Sequence, residues 1–318
     1  MSMQTGRPTP TTPAQPLRSK NPSALPPAWQ GHLAMLSFSM LVSLSFSFGH
    51  IVARDMAPAA LSTVRFALAA LLLMAVAKAM RVPIAPVFHR FWRFGLMGGL
   101  MAVYFITMFE ALRVTSAVST AAVFTLTPLM AAGFGYVIAR QYASRWTLIA
   151  LTIGAVGAVW VIFRADLNAL LRFEIGFGEA LFTVGAFAHA MVPALARKLA
   201  HDVKPVQTSL GTILGALIVT AIYGAPDLIA TDYAALRPAV WLVIVYLAVA
   251  ATAGSFFLLQ YAAQRLPAGK VMAYTYLVPS WVVLWDLLLH GKTQPLMLLL
   301  GVFATLLALL MLLKAEAS

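Results

Sequence analysis

Six ionisable side chains interrupt the long apolar runs of this 318-residue sequence: Arg65, Glu110, Glu179, Asp286, His50 and His189. An arginine inside a membrane helix costs roughly 3 kcal/mol on insertion scales, so it requires a partner, a water-filled cavity or a nearby interface. Carboxylates can pair with cations, and histidine can gain or lose a proton near neutral pH. The pattern is typical of an apolar bundle that binds a polar solute or moves protons.

Arg65 lies in the stretch ALSTVRFALAALLLMAVA, from Ala60 to Ala77, and admits two interpretations. In one, its side chain reaches the nearer interface and the acidic residues face headgroup water. In the other, Arg65 points into the bundle and pairs with Glu110 or with a substrate carboxylate. Glu110 could equally pair with Arg113, three residues further along the same helix.

The other ionisable residues are also open to more than one role. His189 could relay protons, contact substrate or bond to a helix carbonyl. We expect His50 to contribute to substrate binding or gating. Glu179 and Asp286 are the candidates for proton coupling, and both lie near the ends of their helices.

The composition predicts a polytopic membrane protein. Hydrophobic residues make up 61% of the chain and charged residues only 10%, against about 25% charged in soluble domains. The net charge of +12 comes from Lys and Arg in short loops between apolar runs, so no nucleic-acid partner is expected. There is no cysteine, and we expect neither a metal site nor a cofactor.

Apolar runs long enough to cross a bilayer recur along the chain, and we predict about ten helices. They are Leu33 to Ala53, Ala59 to Ala77, Trp92 to Leu112, Ala117 to Ala139, Trp146 to Phe163, Phe177 to Ala196, Thr208 to Tyr223, Ala239 to Ala263, Val271 to Leu289 and Pro295 to Leu313.

The Lys and Arg residues in the loops predict how these helices are oriented in the membrane. The side of the amino terminus carries 15 Lys and Arg residues and the other side 6, so both termini are predicted to be cytoplasmic. Residues 1–28 are rich in Pro, Ser and Thr and are predicted to form a disordered cytoplasmic tail.

The two halves of the chain share a pattern. A shift of 151 residues aligns ALRVTSAVSTAAVFTLTPLMA with AAQRLPAGKVMAYTYLVPSWV and places Pro128 on Pro279. Each half would hold five helices, so residues 29–168 and 169–318 are predicted to be inverted repeats. The paired prolines break helices near the membrane midplane, either to serve a substrate site or to kink helices for packing.

Three segments, FGHIVARDMAPAALSTVRFALAALLL, ALRVTSAVSTAAVFTLTPLMAA and AAQRLPAGKVMAYTYLVPSW, resemble the ten-helix EamA-type members of the drug/metabolite transporter superfamily. The resemblance implies a bacterial inner-membrane protein that exports small metabolites, and it favours a functional role for Arg65. The chain departs from the family pattern at Phe48, where a Trp is usual, and at Gln141 and Lys292, where a Glu is usual.

Aromatic residues add a further candidate surface. Tyr274 and Trp281 flank Pro279 at helical spacing, and Tyr104 lies in the third helix. They either pack helices together or line a cavity for a flat, partly apolar substrate.

The sequence thus predicts an all-α integral membrane protein with about ten transmembrane helices in two inverted five-helix repeats. No hydrolase, zinc-protease or phosphate-loop motif occurs, so an enzyme is not expected. We expect an alternating-access exporter of small polar, amino-acid-like metabolites, with a passive channel as the alternative. Its expected partners are the small-molecule substrate, protons and membrane lipid. The oligomeric state stays open, with a homodimer as one candidate.

Overall fold

The computed structural model defines the fold of most of the chain. The residues that it describes are 27–140, 142, 144–163, 166–171, 175–200, 202–263, 266, 268–291, 293 and 295–315. Nearly all of the predicted tail, together with Gln141 and Lys292, lies outside these ranges.

Within the described residues, ten helices are long and apolar enough to cross a membrane, which confirms the predicted all-α integral membrane fold with about ten transmembrane helices. They are α1 (Pro27–Val52), α2 (Pro58–Ala79), α3 (Phe91–Val114), α4 (Ala117–Phe124 and Thr127–Ala139), α5 (Arg145–Ile162), α6 (Phe177–Leu199), α7 (Pro205–Tyr223), α8 (Pro238–Ala248 continuing to Ala263), α9 (Ala268–Ala273 continuing to His290) and α10 (Leu296–Ala315).

Short connections make successive spans alternate in direction. We call the face at which α1 begins the N-terminal face and the opposite one the far face. Prolines fix several helix starts: Pro58, Pro205 and Pro238 are the first residues of α2, α7 and α8. Proline is favoured there because its ring presets the helical φ and its missing N–H is not needed.

Helices α4 and α9 are interrupted at corresponding points. The break in α4 is at Leu126 (φ −76°, ψ −17°) and that in α9 at Leu277 (φ −77°, ψ −17°), with Pro128 and Pro279 following in the next turn. Before the α9 break, Tyr274–Leu277 form a 3₁₀ turn. The prolines therefore begin the second half of a broken helix, where the missing N–H costs least.

The same shift relates the ends of these two helices. Both end on a left-handed residue, Arg140 at φ 52° and Gly291 at φ 63°. Glycine adopts this conformation freely, whereas a residue with a Cβ is strained in it. The backbone of the second half thus repeats a conformation that the first half adopts at greater cost.

Helix α8 also differs from the single regular helix predicted from the sequence. A π-helical turn, Val249–Gly254, separates Pro238–Ala248 from Ser255–Ala263. Such insertions are frequent at functional sites. Apolar periodicity could not reveal this one, because the surrounding residues are apolar on every face.

Glycines allow the closest helix contacts. A Cβ on Gly98 of α3 would collide with the backbone of Gly215 and Ala216 in α7, and one on Gly157 of α5 would collide with Gly301 of α10. Small residues of this kind let membrane helices approach closely, since dispersion and not the hydrophobic effect holds them together.

Candidate functional site

A cavity of about 430 Å³ lies between the two halves of the bundle. Its wall comes from α1, α3, α4, α6, α7, α8 and α9. At one end its lining includes Arg197, Val203 and Pro205, which lie at or just beyond helix ends on the N-terminal face. At the other end it reaches Tyr104 and His189 near the middle of α3 and α6. The cavity is therefore accessible from the N-terminal face.

Aromatic rings close the inner end of this cavity. We call Phe46, Tyr104, Phe124, Phe182 and His189 the aromatic cluster. The Tyr104 ring lies 5.8 Å from Phe124, 5.6 Å from Phe182 and 4.6 Å from His189, measured between centroids. Phe46, Phe124 and Phe182 are essentially inaccessible to solvent. The far-face half of the bundle is consequently packed shut above the cavity.

Arg65 lies wholly inside the protein, at 0% exposure. Its guanidinium carbon is 3.9 Å from the centroid of the Phe105 ring, and the rings of Phe66 and Phe109 are 5.3 and 5.6 Å away. Desolvated cation–π contacts are worth about 2 kcal/mol. Arg65 therefore does not reach the interface, and aromatic faces surround its charge.

Thr252 supplies hydrogen bonds to this guanidinium. Its Oγ1 accepts from Arg65 Nε at 3.2 Å and Nη2 at 2.6 Å. The same hydroxyl donates to the Leu247 carbonyl, five residues earlier, at 2.7 Å. Thr252 lies in the π-helical turn of α8, so the irregular turn and the buried cation meet at one hydroxyl. Arg65 Nη1 has no hydrogen-bond partner among the described residues.

Phe105 stands between Arg65 and the cavity. Phe105 lines the cavity whereas Arg65 does not, and the guanidinium is in contact with the face of the Phe105 ring. A solute in the cavity reaches Arg65 only if this ring moves. The Phe105 ring thus separates the positive charge of Arg65 from the cavity.

His189 is a titratable side chain at the inner end of the cavity, beside Tyr104. It lines the cavity, and its Nδ1 has no hydrogen-bond partner among the described residues. Pro193, four residues later in α6, also lines the cavity. Because proline has no N–H, the His189 carbonyl loses its usual helical donor. The Nδ1 atom and the backbone carbonyl of His189 thus each lack a usual hydrogen-bond partner.

Glu110 and His50 lie elsewhere, toward the far face. Glu110 Oε2 accepts from Arg113 Nη1 at 3.2 Å, and both side chains are about two-fifths exposed, at 40% and 44%. His50 Nδ1 is 2.8 Å from the Leu112 carbonyl. The expected alternative in which Glu110 pairs with Arg65 is wrong, because Glu110 pairs along its own helix.

Glu179 is buried at the far-face end of α6, with 2% exposure. Its Oε1 accepts hydrogen bonds from Thr115 Oγ1 at 2.5 Å and from Ser119 Oγ at 2.6 Å. These hydroxyls flank the start of α4, so the carboxylate joins two neighbouring helix ends. It does not face headgroup water, which one interpretation of the sequence had expected.

Tyr274 and Trp281 of α9 lie on the seam with α1 and, like Asp286, are not among the described residues lining the cavity. Tyr274 Oη is 2.9 Å from His32 Nδ1, and Trp281 Nε1 donates to Ser39 Oγ at 3.1 Å. Asp286 is half-buried one turn before the end of α9. Of the two uses considered for Tyr274 and Trp281, the structure shows helix packing.

Comparison with known proteins assigns the chain to a family. The model of the EamA-like transporter family matches residues 29–163 and, a second time, residues 176–314. The chain belongs to the EamA-like transporter family. Each matched copy holds five of the ten candidate spans.

Two individual proteins are similar to this chain. The uncharacterized transporter YyaM of Bacillus subtilis (strain 168) is 21% identical over 257 residues, which cover 78% of this chain and 82% of YyaM. A solved crystal structure matches with a TM-score of 0.67 at 17% identity, over 90% of this chain and 95% of that one. At this identity the latter match shows the fold alone.

Some residues of this EamA-like site escaped the sequence analysis. Met97, Met101 and Met108 line the cavity, and their spacing of four and seven residues places them on one face of α3. This spacing is visible in the sequence and could have predicted a methionine-rich face on α3. Thr252 gave a weaker signal, as one of a few hydroxyl side chains in the apolar run of α8, and only the structure pairs it with Arg65.

Proposed function

We propose that this EamA-like protein is an alternating-access secondary transporter that exports small metabolites carrying a carboxylate, including amino-acid-like compounds. One observation carries the proposal: a cavity accessible from the N-terminal face ends against a packed aromatic cluster beside a buried arginine. A carrier requires a site that is closed on one side while it is open on the other. A passive channel is not favoured by this geometry, because the far-face half is packed.

Arg65 is the proposed substrate-binding cation. A buried guanidinium presents fixed donors that suit a carboxylate, and its Nη1 has no partner among the described residues. Phe105 covers it in the present state. Substrate entry would displace this ring and exchange a cation–π contact for a charge-assisted hydrogen bond. Tyr104 and His189 would line the remainder of the site.

The repeated backbone supports an inverted-repeat mechanism. Two family domains of five spans each enter the membrane from opposite sides, because five is odd. The breaks at Leu126 and Leu277 have the same backbone angles. Broken helices in corresponding positions are typical of transporters in which one repeat rocks against the other. Pro128 and Pro279 would serve as hinges.

Glu179 is the proton-coupling candidate that burial favours. It is 2% exposed and bonded to two hydroxyls, whereas Glu110 is exposed and paired with Arg113. A buried carboxylate at the closed face is suited to bind a proton when that face opens. Asp286 and His189 are the other candidates.

Location and orientation follow from the same proposal. The loop charges favour cytoplasmic termini, so the N-terminal face would meet the cytoplasm and the cavity would load from inside the cell. The expected setting is a bacterial inner membrane, with exposed apolar side chains such as Leu71, Val137 and Leu242 against lipid.

The test is transport by the purified full chain in liposomes. Labelled carboxylate metabolites and amino acids are screened with and without a pH gradient, using protein-free vesicles as the leak control. Arg65→Gln should abolish saturable flux, whereas Arg113→Gln, which removes an exposed arginine at the far face, should retain it. Full activity in Arg65→Gln would refute the site. Arg65→Lys keeps the charge and should keep measurable flux, which separates loss of binding from loss of folding.

A further inference from the structure

The charges around the cavity restrict the substrate further than the family does. Among the described residues that line it, no side chain is an Asp or Glu. Arg197 lies at the mouth, and Arg65 lies behind Phe105 at the inner end. Among the described residues that line the cavity or lie directly behind its wall at Phe105, the formal charges are thus positive.

The surroundings of Arg65 also favour an anionic substrate over a zwitterionic one. Its hydrogen bonds are to the neutral hydroxyl of Thr252, and its guanidinium lies against the face of the Phe105 ring. A substrate with a net charge of −1 neutralises this buried cation. A zwitterion instead brings an ammonium group that must leave water with no carboxylate on the wall to receive it, and burial of an unpaired charge is strongly unfavourable.

The remainder of the wall suits an apolar body. Met97, Met101 and Met108 form one face of α3, and Phe38 and Phe124 lie on other helices around the same space. Methionine adapts its shape and makes favourable sulfur–aromatic contacts. Neutral donors on a substrate could meet the His189 carbonyl, which Pro193 leaves without its helical N–H.

Resting on the transport function proposed above, we propose that, among carboxylate metabolites, the preferred substrates are organic monocarboxylates with an aromatic or branched apolar body and no ammonium group. A 2-hydroxy acid is the simplest example. Its carboxylate would bind Arg65 once Phe105 has moved, its hydroxyl would donate to the His189 carbonyl, and its hydrocarbon would contact the methionines of α3. Amino acids of the same skeleton bind more weakly.

The experiment compares matched ligands on the full chain in liposomes. Labelled 3-phenyllactate is exported against unlabelled 3-phenyllactate, phenylalanine or glycolate present on both sides. Phenylalanine differs from the tracer by an ammonium in place of the hydroxyl, and glycolate by the missing apolar body. We expect 3-phenyllactate to compete at a concentration at least tenfold lower than either of the others.

A variant should weaken the selectivity. Thr212 lines the cavity, and Thr212→Asp adds the missing carboxylate. In this variant the preference for 3-phenyllactate over phenylalanine should fall at least fivefold, whereas Thr212→Asn should keep it. The wild-type comparison does not depend on either variant folding.

The outcomes separate the two proposals. If phenylalanine competes as well as 3-phenyllactate and its flux depends on Arg65, the proposed discrimination against ammonium groups is wrong and the transport function stands. If glycolate competes as well as 3-phenyllactate, the proposed preference for an apolar body is wrong. If no carboxylate or amino acid moves faster than in protein-free vesicles, both proposals fail.

Discussion

Removal of the Thr252 hydroxyl isolates the contact between the π-helical turn and the buried cation. Thr252→Val keeps the shape of the side chain and deletes the acceptor of two Arg65 hydrogen bonds, at 3.2 and 2.6 Å. A hydrogen bond to a charged group contributes about 1.5–3 kcal/mol. Since both bonds share one oxygen, we expect a loss of about 2–3 kcal/mol in the free energy of unfolding.

The matched control is Thr305→Val in α10. Thr305 is equally buried, at 1% against 0% for Thr252, but its hydroxyl donates only to the Val302 carbonyl. A net neutral hydrogen bond contributes about 1 kcal/mol. The substitution at 252 should therefore cost more than the one at 305 by about 1–2 kcal/mol.

A double-mutant cycle with Arg65→Met measures the coupling free energy between Thr252 and Arg65. Without the guanidinium, Thr252→Val should cost about as much as Thr305→Val, so the two changes should be coupled by about 1–2 kcal/mol. Stability is measured by unfolding of the detergent-solubilised protein, followed through its 7 tryptophans. Strictly additive effects would refute the proposed role of Thr252.

Four further predictions test other parts of the structure. Gly98→Ala should lower the unfolding temperature, because the added Cβ would collide with the backbone of α7. Gly99→Ala is the control and should be neutral or stabilising, because nothing lies within 4 Å of its added Cβ. Equal unfolding temperatures for the two variants would contradict the close contact between α3 and α7. Arg140→Gly should raise the free energy of unfolding by up to about 1 kcal/mol, because glycine adopts the left-handed conformation without strain. Gly291→Ala should lower the free energy of unfolding by a similar amount, and chemical denaturation in detergent measures both changes. Glu179→Gln should abolish the response of transport to a pH gradient while substrate exchange continues, and unaltered pH dependence would remove Glu179 as the coupling site. Ser144→Cys should react with an impermeant thiol reagent from the cytoplasm and Thr231→Cys from outside, and the reverse pattern would overturn the topology.

The sequence predicted the spans well because the cost of leaving apolar residues in water, or backbone groups unbonded in lipid, acts on whole segments. It placed the ends of several helices less well. The first helix begins at Pro27 instead of Leu33 and the seventh at Pro205 instead of Thr208, because prolines that initiate helices lie outside the most apolar windows.

Pairwise contacts were harder to predict. The sequence identified Arg65 as costly, but its partner, Thr252, is 187 residues away and belongs to the other half. Glu110 was a plausible partner by proximity, yet a neighbouring arginine on its own helix binds it. Which residues meet depends on helix rotation and on a π-helical turn, neither of which has a signature in an apolar run.

Two-sided accessibility of a cavity residue tests alternating access most directly. The chain has no cysteine, so Thr212→Cys provides a single thiol on the cavity wall. We predict rapid modification by an impermeant reagent from the N-terminal face, and slow modification from the far face that a transported substrate accelerates. Equally fast modification from both faces, with or without substrate, would contradict a carrier and indicate a continuous pore.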